Sequence, residues 1–205
     1  MSDTELTQRL LSLESKIDSM KMRTGDWNAQ DYERLSKAVA VISSVPIYID
    51  DSPQLTVLDI RARARREKPR SRLGLIVVDY LQLMTGRSRA EDRQVEIAEI
   101  SRGLKLLARE LEVPVFALSQ LSRNLGQRVD KWPTLADPRE SGSLGQDADV
   151  ALFLYRDEMC DPDSTDRGTT EIIVAKHRSG PTGLARLAFR DSFTKFAIWR
   201  KGNSV

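Results

Sequence analysis

Three uninterrupted apolar runs, "LGLIVVD" at residues 73–79, "VPVFALSQ" at 113–120 and "DVALFLY" at 149–155, constrain this 205-residue chain more than any other feature. Strands that face solvent on one side alternate apolar with polar side chains, whereas runs such as these predict strands buried on both faces of a mainly parallel sheet. Helical patterns lie between and before them, so the middle of the chain reads as α/β. Two of the runs end in a polar group, Asp79 and Gln120. The carboxyl ends of parallel strands are where open α/β sheets gather their ligands, so both are candidate site residues.

The flanking segments carry clear helix signals. Ser2-Asp3-Thr4-Glu5 has the spacing of a capping box, and Leu6, Leu10, Leu13, Ile17 and Met20 then recur down one face until Gly25. A second helix is predicted from near Asn28, with Tyr32, Leu35, Ala38, Val39 and Ile42 on its apolar stripe and Pro46 at its end. A third opens at Thr56 and carries the stretch from Arg61 to Arg72, in which seven residues are Arg or Lys. A long helix after the first strand is expected to turn Val95, Ala98, Leu104, Leu107 and Leu111 inward. Beyond the acidic loop at 156–166, "TEIIVAKHR" reads as a strand, and "GLARLAFRDSFTKFAIW" as a hairpin turning at Asp191-Ser192.

Composition removes several classes of function. No apolar run reaches the ~18 residues of a membrane span, and the first residues lack the basic and apolar regions of a signal peptide, so a cytoplasmic setting is expected. Cys160 is the only cysteine, which leaves no internal disulfide and no thiolate cluster. His177 is the only histidine and reads as a surface or packing residue. The formal net charge of +2 does not by itself call for a nucleic-acid partner.

Taken in order, "VVDYLQLM", "VPVFALSQLSR", "DPRESGSLGQDADVALFLYR" and "IIVAKHRSGPTG" resemble the bacterial replicative DNA helicases of the DnaB family, within the RecA-like ATPases. The resemblance extends through "MSDTELTQRLL", "WNAQDYERL", "PIYIDDSPQLT" and "IRARARR" to the terminal hairpin, and so covers essentially the whole chain. It implies a RecA-like core of mostly parallel sheet and helices with a C-terminal β-hairpin. Within it, residues 1–72 form a helical lead-in, 73–156 the sheet core, and 157–205 a finger strand and hairpin.

The resemblance also implies roles. Asp79 becomes the Walker B carboxylate that orders Mg²⁺ on the phosphates of ATP, and Gln120 the residue linking the γ-phosphate to the DNA loops. Lys176 and Arg178 become fingers reaching the γ-phosphate held by the neighbouring subunit of a homo-hexamer. Alternation along that strand sets both on one face, with His177 on the other. Single-stranded DNA is expected to contact Arg139, Glu140 and Gly142 through phosphates rather than bases. Primase and a helicase loader are further partners of such a ring.

The chain departs from the family pattern in two ways. Pro138 stands where an aliphatic residue is usual, and Gly145 where Glu is usual. More consequentially, no G-x-x-x-x-G-K-[ST] phosphate loop occurs anywhere in the 205 residues. The resemblance places that loop and the catalytic Glu ahead of the segment at Met1, so the chain alone is expected to be inactive. A non-catalytic module that binds single-stranded DNA or caps a helicase ring is the alternative reading.

Overall fold

The structure, a computed structural model, describes residues 2–86, 93–121, 133–134, 144–161 and 163–200. It divides into two compact units, one of residues 1–51, 156–172 and 185–205, the other of residues 52–155 and 173–184.

In the first unit, helix α1 (Asp3–Ser15) opens on the capping box: Glu5 N–H donates to Ser2 Oγ, and Ser2 N–H donates back to the Glu5 carboxylate. The apolar spacing predicted one helix to Gly25, but the chain breaks at Lys16, which takes left-handed φ and ψ of 56° and 35°. Asp18 caps a second helix, α2 (Ser19–Thr24), which Gly25 terminates at φ 76°. Ile17 therefore lies in the joint rather than on a helix face, and it is buried there. Ser12 Oγ donates to the Ile17 carbonyl at 2.6 Å, satisfying backbone that the break leaves open. Helix α3 (Ala29–Ser44) starts at Asn28 and Asp31, a second reciprocal cap, and packs on α1.

In the second unit, Thr56 and Asp59 cap α4 (Val57–Ser71), and the long helix α5 (Arg93–Leu111) lies against it. Gly103 allows that approach, because a Cβ there would stand 3.2 Å from Val57 Cγ1. The inward face of α5 is Ile97, Ile100, Leu104, Leu107 and Leu111: the expected Leu104, Leu107 and Leu111 are buried, whereas Val95 is exposed and Ala98 half-buried. Shifting the stripe by two positions at its start keeps the three and four spacing of a helix face and places the Ile side chains in the core. Those residues join Val78, Leu81, Met84 and Val113 in the core of the unit. Several cations of α4 are paired rather than free: Arg61 and Arg65 with Glu110, and Lys68 with the Leu111 carbonyl.

Strands β1 (Ile76–Val78) and β2 (Val115–Ala117) pair in parallel, with Val77 opposite Phe116. Each is shorter than the apolar run that predicted it. A helix, α6 (Leu144–Asp147), precedes β3 (Val150–Tyr155). β3 begins a four-stranded sheet in the order β3, β4 (Thr169–His177), β5 (Gly183–Arg190), β6 (Lys195–Ile198). β5 and β6 form the expected antiparallel hairpin about Asp191–Phe193.

The expectation of strands buried on both faces is corrected. Leu75, Val77 and Phe116 are about half exposed, at 51%, 57% and 50%, and Val150, Leu152 and Leu154 are exposed along β3, while Val78 and Phe153 point into packed interior. An unbroken apolar run reports that neither face carries polar groups, but not that both faces are packed in the described structure.

Candidate functional site

Asp79 and Gln120 stand where adjacent parallel strands end. The ladder continues past the strands themselves: Leu118 N–H donates to the Val78 carbonyl at 2.9 Å, and Leu81 N–H donates to the Leu118 carbonyl at 3.0 Å. Val78 is buried and anchors the strand end, so the next residue, Asp79, emerges exposed at the rim. The peptide bond between Asp79 and Tyr80 is cis. Gln120 is likewise exposed.

The residue that joins these two ends was not singled out from the sequence. Gln82 follows in the 3-10 turn Leu81–Leu83, donates from Nε2 to Ser119 Oγ at 3.0 Å, and accepts from Gln120 N–H at 3.3 Å through Oε1. Both arms of one carboxamide thus bind the exit of β2. Its backbone is held in turn by Arg93, which donates to the carbonyls of Gln82 at 2.9 Å and Met84 at 3.1 Å and pairs with Glu96. Glu96 also accepts from Gly86 N–H, and that bond, aided by Arg93 and opposed by burial, draws its carboxyl below the ordinary range. Gly86 fits because a Cβ there would stand 2.5 Å from Glu96 Cγ. The only hint in the sequence was a lone amide inside "YLQLM".

The rim suits a hydrated hard cation. Mg²⁺ dehydrates reluctantly and is usually held by one or two carboxylates together with water and substrate phosphate oxygens. Asp79 supplies one exposed carboxylate, and among the described residues no group of three or more acidic, His or Cys side chains forms a closed cage.

A second group of candidates meets at the end of β4. Lys176 Nζ donates to the carbonyls of Gly145 at 2.7 Å and Gln146 at 3.0 Å, on the short helix α6. Gly145, the position that departs from the family pattern, thus contributes a backbone acceptor. Arg178 lies just past the strand, where its N–H donates to the Asp149 carbonyl at 2.8 Å and its Nη1 to Asp149 Oδ1 at 3.3 Å. Lys105, from α5, pairs with the other oxygen of that carboxylate. The Lys105 hydrogen bond, with a lesser contribution from Arg178, holds the Asp149 carboxyl below its ordinary value against the opposing effect of burial. Lys105, Lys176 and Arg178 line an open cavity of about 430 Å³ with Gln146, Asp147, Ala148 and Asp149. Three cations converging on two carboxylates leave a locally positive surface suited to an oxyanion. His177 is exposed and stacks over Gly180, where a Cβ would be 2.3 Å from its Nδ1.

Arg139, Glu140 and Gly142, with Pro138, lie outside the described residues. Among the described residues no helix is long and apolar enough to cross a membrane.

The arrangement can be set beside known proteins. A sequence model of the DnaB-like helicase C terminal domain matches residues 1–198. The replicative DNA helicase DnaB of Geobacillus stearothermophilus is 52% identical over 197 residues, covering 96% of this chain and 43% of that protein. The replicative DNA helicase DnaC of Bacillus subtilis (strain 168) is 49% identical over 197 residues, with the same shares. Among solved structures, a DnaB-like replicative helicase described with its interactions with primase superposes with a TM-score of 0.93 at 40% identity, covering 98% of this chain and 49% of that one. A solved ATPase domain gives the same TM-score and identity over 98% of this chain and 72% of that one. The chain spans less than half the length of the curated relatives and shares the α/β fold of the ATPase domains. By the match across residues 1–198 and the fold held in common, the chain belongs to the DnaB-like helicase C-terminal domain family.

Proposed function

We propose that this chain supplies part of an ATP-driven replicative helicase ring that translocates on single-stranded DNA and unwinds duplex in the cytoplasm. Asp79 and Gln120 at adjacent strand ends, tied together by Gln82, are the observation that carries the reading. In it, Asp79 orders Mg²⁺, directly or through water, and Gln120 senses the γ-phosphate of ATP. Mg²⁺ neutralises charge developing on the phosphates when bound. Lys176 and Arg178 serve a nucleotide held by the neighbouring subunit of a homo-hexamer. Their placement at the open cavity beyond β4 supports this, because side chains at an open rim can be reached by a second subunit. Arg139, Glu140 and Gly142 hold DNA phosphates, and primase and a loader dock on the assembled ring.

A second reading stands beside it, in which the chain binds single-stranded DNA or a helicase ring without catalysis; the 205 residues hold no G-x-x-x-x-G-K-[ST] motif of their own. A chimera separates the two, with these residues replacing the matching segment of the Geobacillus stearothermophilus relative. On the first reading the chimeric ring hydrolyses ATP on DNA, Asp79→Ala abolishes turnover, and mixing Asp79→Ala with Arg178→Ala subunits restores some competent sites. A well-assembled chimera without ATPase activity would favour the second. The 205-residue chain alone is expected to show neither tight Mg-ATP binding nor hydrolysis by calorimetry.

A further inference from the structure

Asp149 touches Arg178 at two points. Its carbonyl accepts from the Arg178 backbone N–H at 2.8 Å where the chain leaves β4, and its carboxylate accepts from Nη1 at 3.3 Å, drawing the side chain toward Asp149. Lys105 pins the same carboxylate from α5, a helix whose neighbouring Leu104 and Leu107 are buried in the core. An isolated surface ion pair holds a long side chain poorly. Here the anchoring carboxylate is itself anchored to a rigid element, which is what positioning requires. Among its described contacts the guanidinium uses only Nη1, so its remaining donors stay available to an oxyanion. Lys176, by contrast, is already spanned between two carbonyls of α6.

We propose that Asp149 is a positioning residue that presents Arg178 to the oxyanion bound by the adjacent subunit, with Lys105 holding Asp149 in place. Asp149 also sits among the three cations of the cavity, and offsets the repulsion that would otherwise splay them apart. The inference rests on the finger role proposed for Arg178.

The test uses the chimeric helicase ring and steady-state ATP hydrolysis on single-stranded DNA. Asp149→Asn keeps the shape and removes the charge, and is expected to lower kcat about tenfold while KM for ATP stays within about twofold. Asp149→Glu should recover most of that loss. Lys105→Met, which leaves Asp149 in place but unpinned, should lower kcat about threefold. The decisive comparison is the double variant: Asp149→Asn with Arg178→Ala should be no slower than Arg178→Ala alone, because one residue acts through the other. Multiplying defects, or a KM change with kcat unaltered, would overturn the inference and assign Asp149 a general structural role. If Arg178→Ala lowers turnover but Asp149→Asn and Lys105→Met do not, the positioning role fails while the finger reading stands. If Arg178→Ala itself is silent, the finger reading fails and this inference falls with it.

Discussion

Gln82 donates a 3.0 Å hydrogen bond from Nε2 to Ser119 Oγ, and so couples the turn after Asp79 to the end of the strand that presents Gln120. The same side chain accepts from Gln120 N–H, so one carboxamide links the two strand ends.

Removing that link should therefore uncouple them. Gln82→Ala is expected to cost about 1 kcal/mol of stability, the usual net value of such hydrogen bonds. In the chimeric ring it should reduce DNA-stimulated ATP turnover about tenfold with little effect on unstimulated hydrolysis. Measuring turnover with and without oligo-dT checks this, and an equal loss in both would show that Gln82 supports the fold but not the coupling.

Acid should weaken the first unit through Glu158. Its carboxylate accepts from Gly168 N–H at 2.9 Å and pairs with Arg156, and these contacts, in that order, lower its pKa. A carboxyl depressed in the folded state stabilises the fold above its unfolded value, about 4.3, and that stabilisation disappears as pH falls through the folded value. Glu158→Gln should thus lower stability by on the order of 1 kcal/mol at neutral pH, and the gap from the parent should close progressively below pH ~4. Urea unfolding at a series of pH values would reveal a constant gap if the reasoning were wrong.

Leu107 is fully buried among Ile100, Leu104 and Leu111. Leu107→Ala should cost about 2–5 kcal/mol through lost burial and a cavity. Val95→Ala, on the exposed side of the same helix, should change stability by less than about 0.5 kcal/mol. Chemical denaturation of the two variants separates Leu107, which the packed face shares with the sequence pattern, from Val95, which the pattern alone turns inward.

Arg139 is proposed to hold a DNA phosphate. Arg139→Ala in the chimeric ring should weaken binding to oligo-dT and to mixed oligonucleotides alike, and reduce the log–log salt slope by about 0.7. Fluorescence anisotropy across salt concentrations decides it, since an unaltered slope would show that Arg139 holds no phosphate.

Local signals in the sequence proved strong where a single residue decides the outcome. The caps at Ser2, Asn28 and Thr56 open helices because their side chains have no better partner than the adjacent backbone. The break at Lys16 was invisible because the apolar spacing continues across it: Ile17 satisfies a helix face and a buried joint equally well. The start of the α5 face is hidden for a related reason, since Val95 and Ile97 offer overlapping stripes and only tertiary packing selects one. The strand ends bearing Asp79 and Gln120 were legible from abrupt changes of polarity. Gln82, Lys105 and Asp149 were not, because a hydrogen bond between residues far apart in sequence leaves no local pattern.

The exposed face of β1 and β2 bears on how this pair of strands knows its own alignment. Where one face is polar, sliding a strand by one residue would expose its apolar set, and the penalty enforces a single pairing. Val77 and Phe116 are as apolar as Ile76 and Val115, so here a slip would exchange like for like. The discrimination must come instead from the ends, where Leu118 meets Val78 and the Gln82 carboxamide meets Ser119 and Gln120. The polar groups gathered around the candidate site are thus also the ones that tell the two strands apart from their mispaired alternatives.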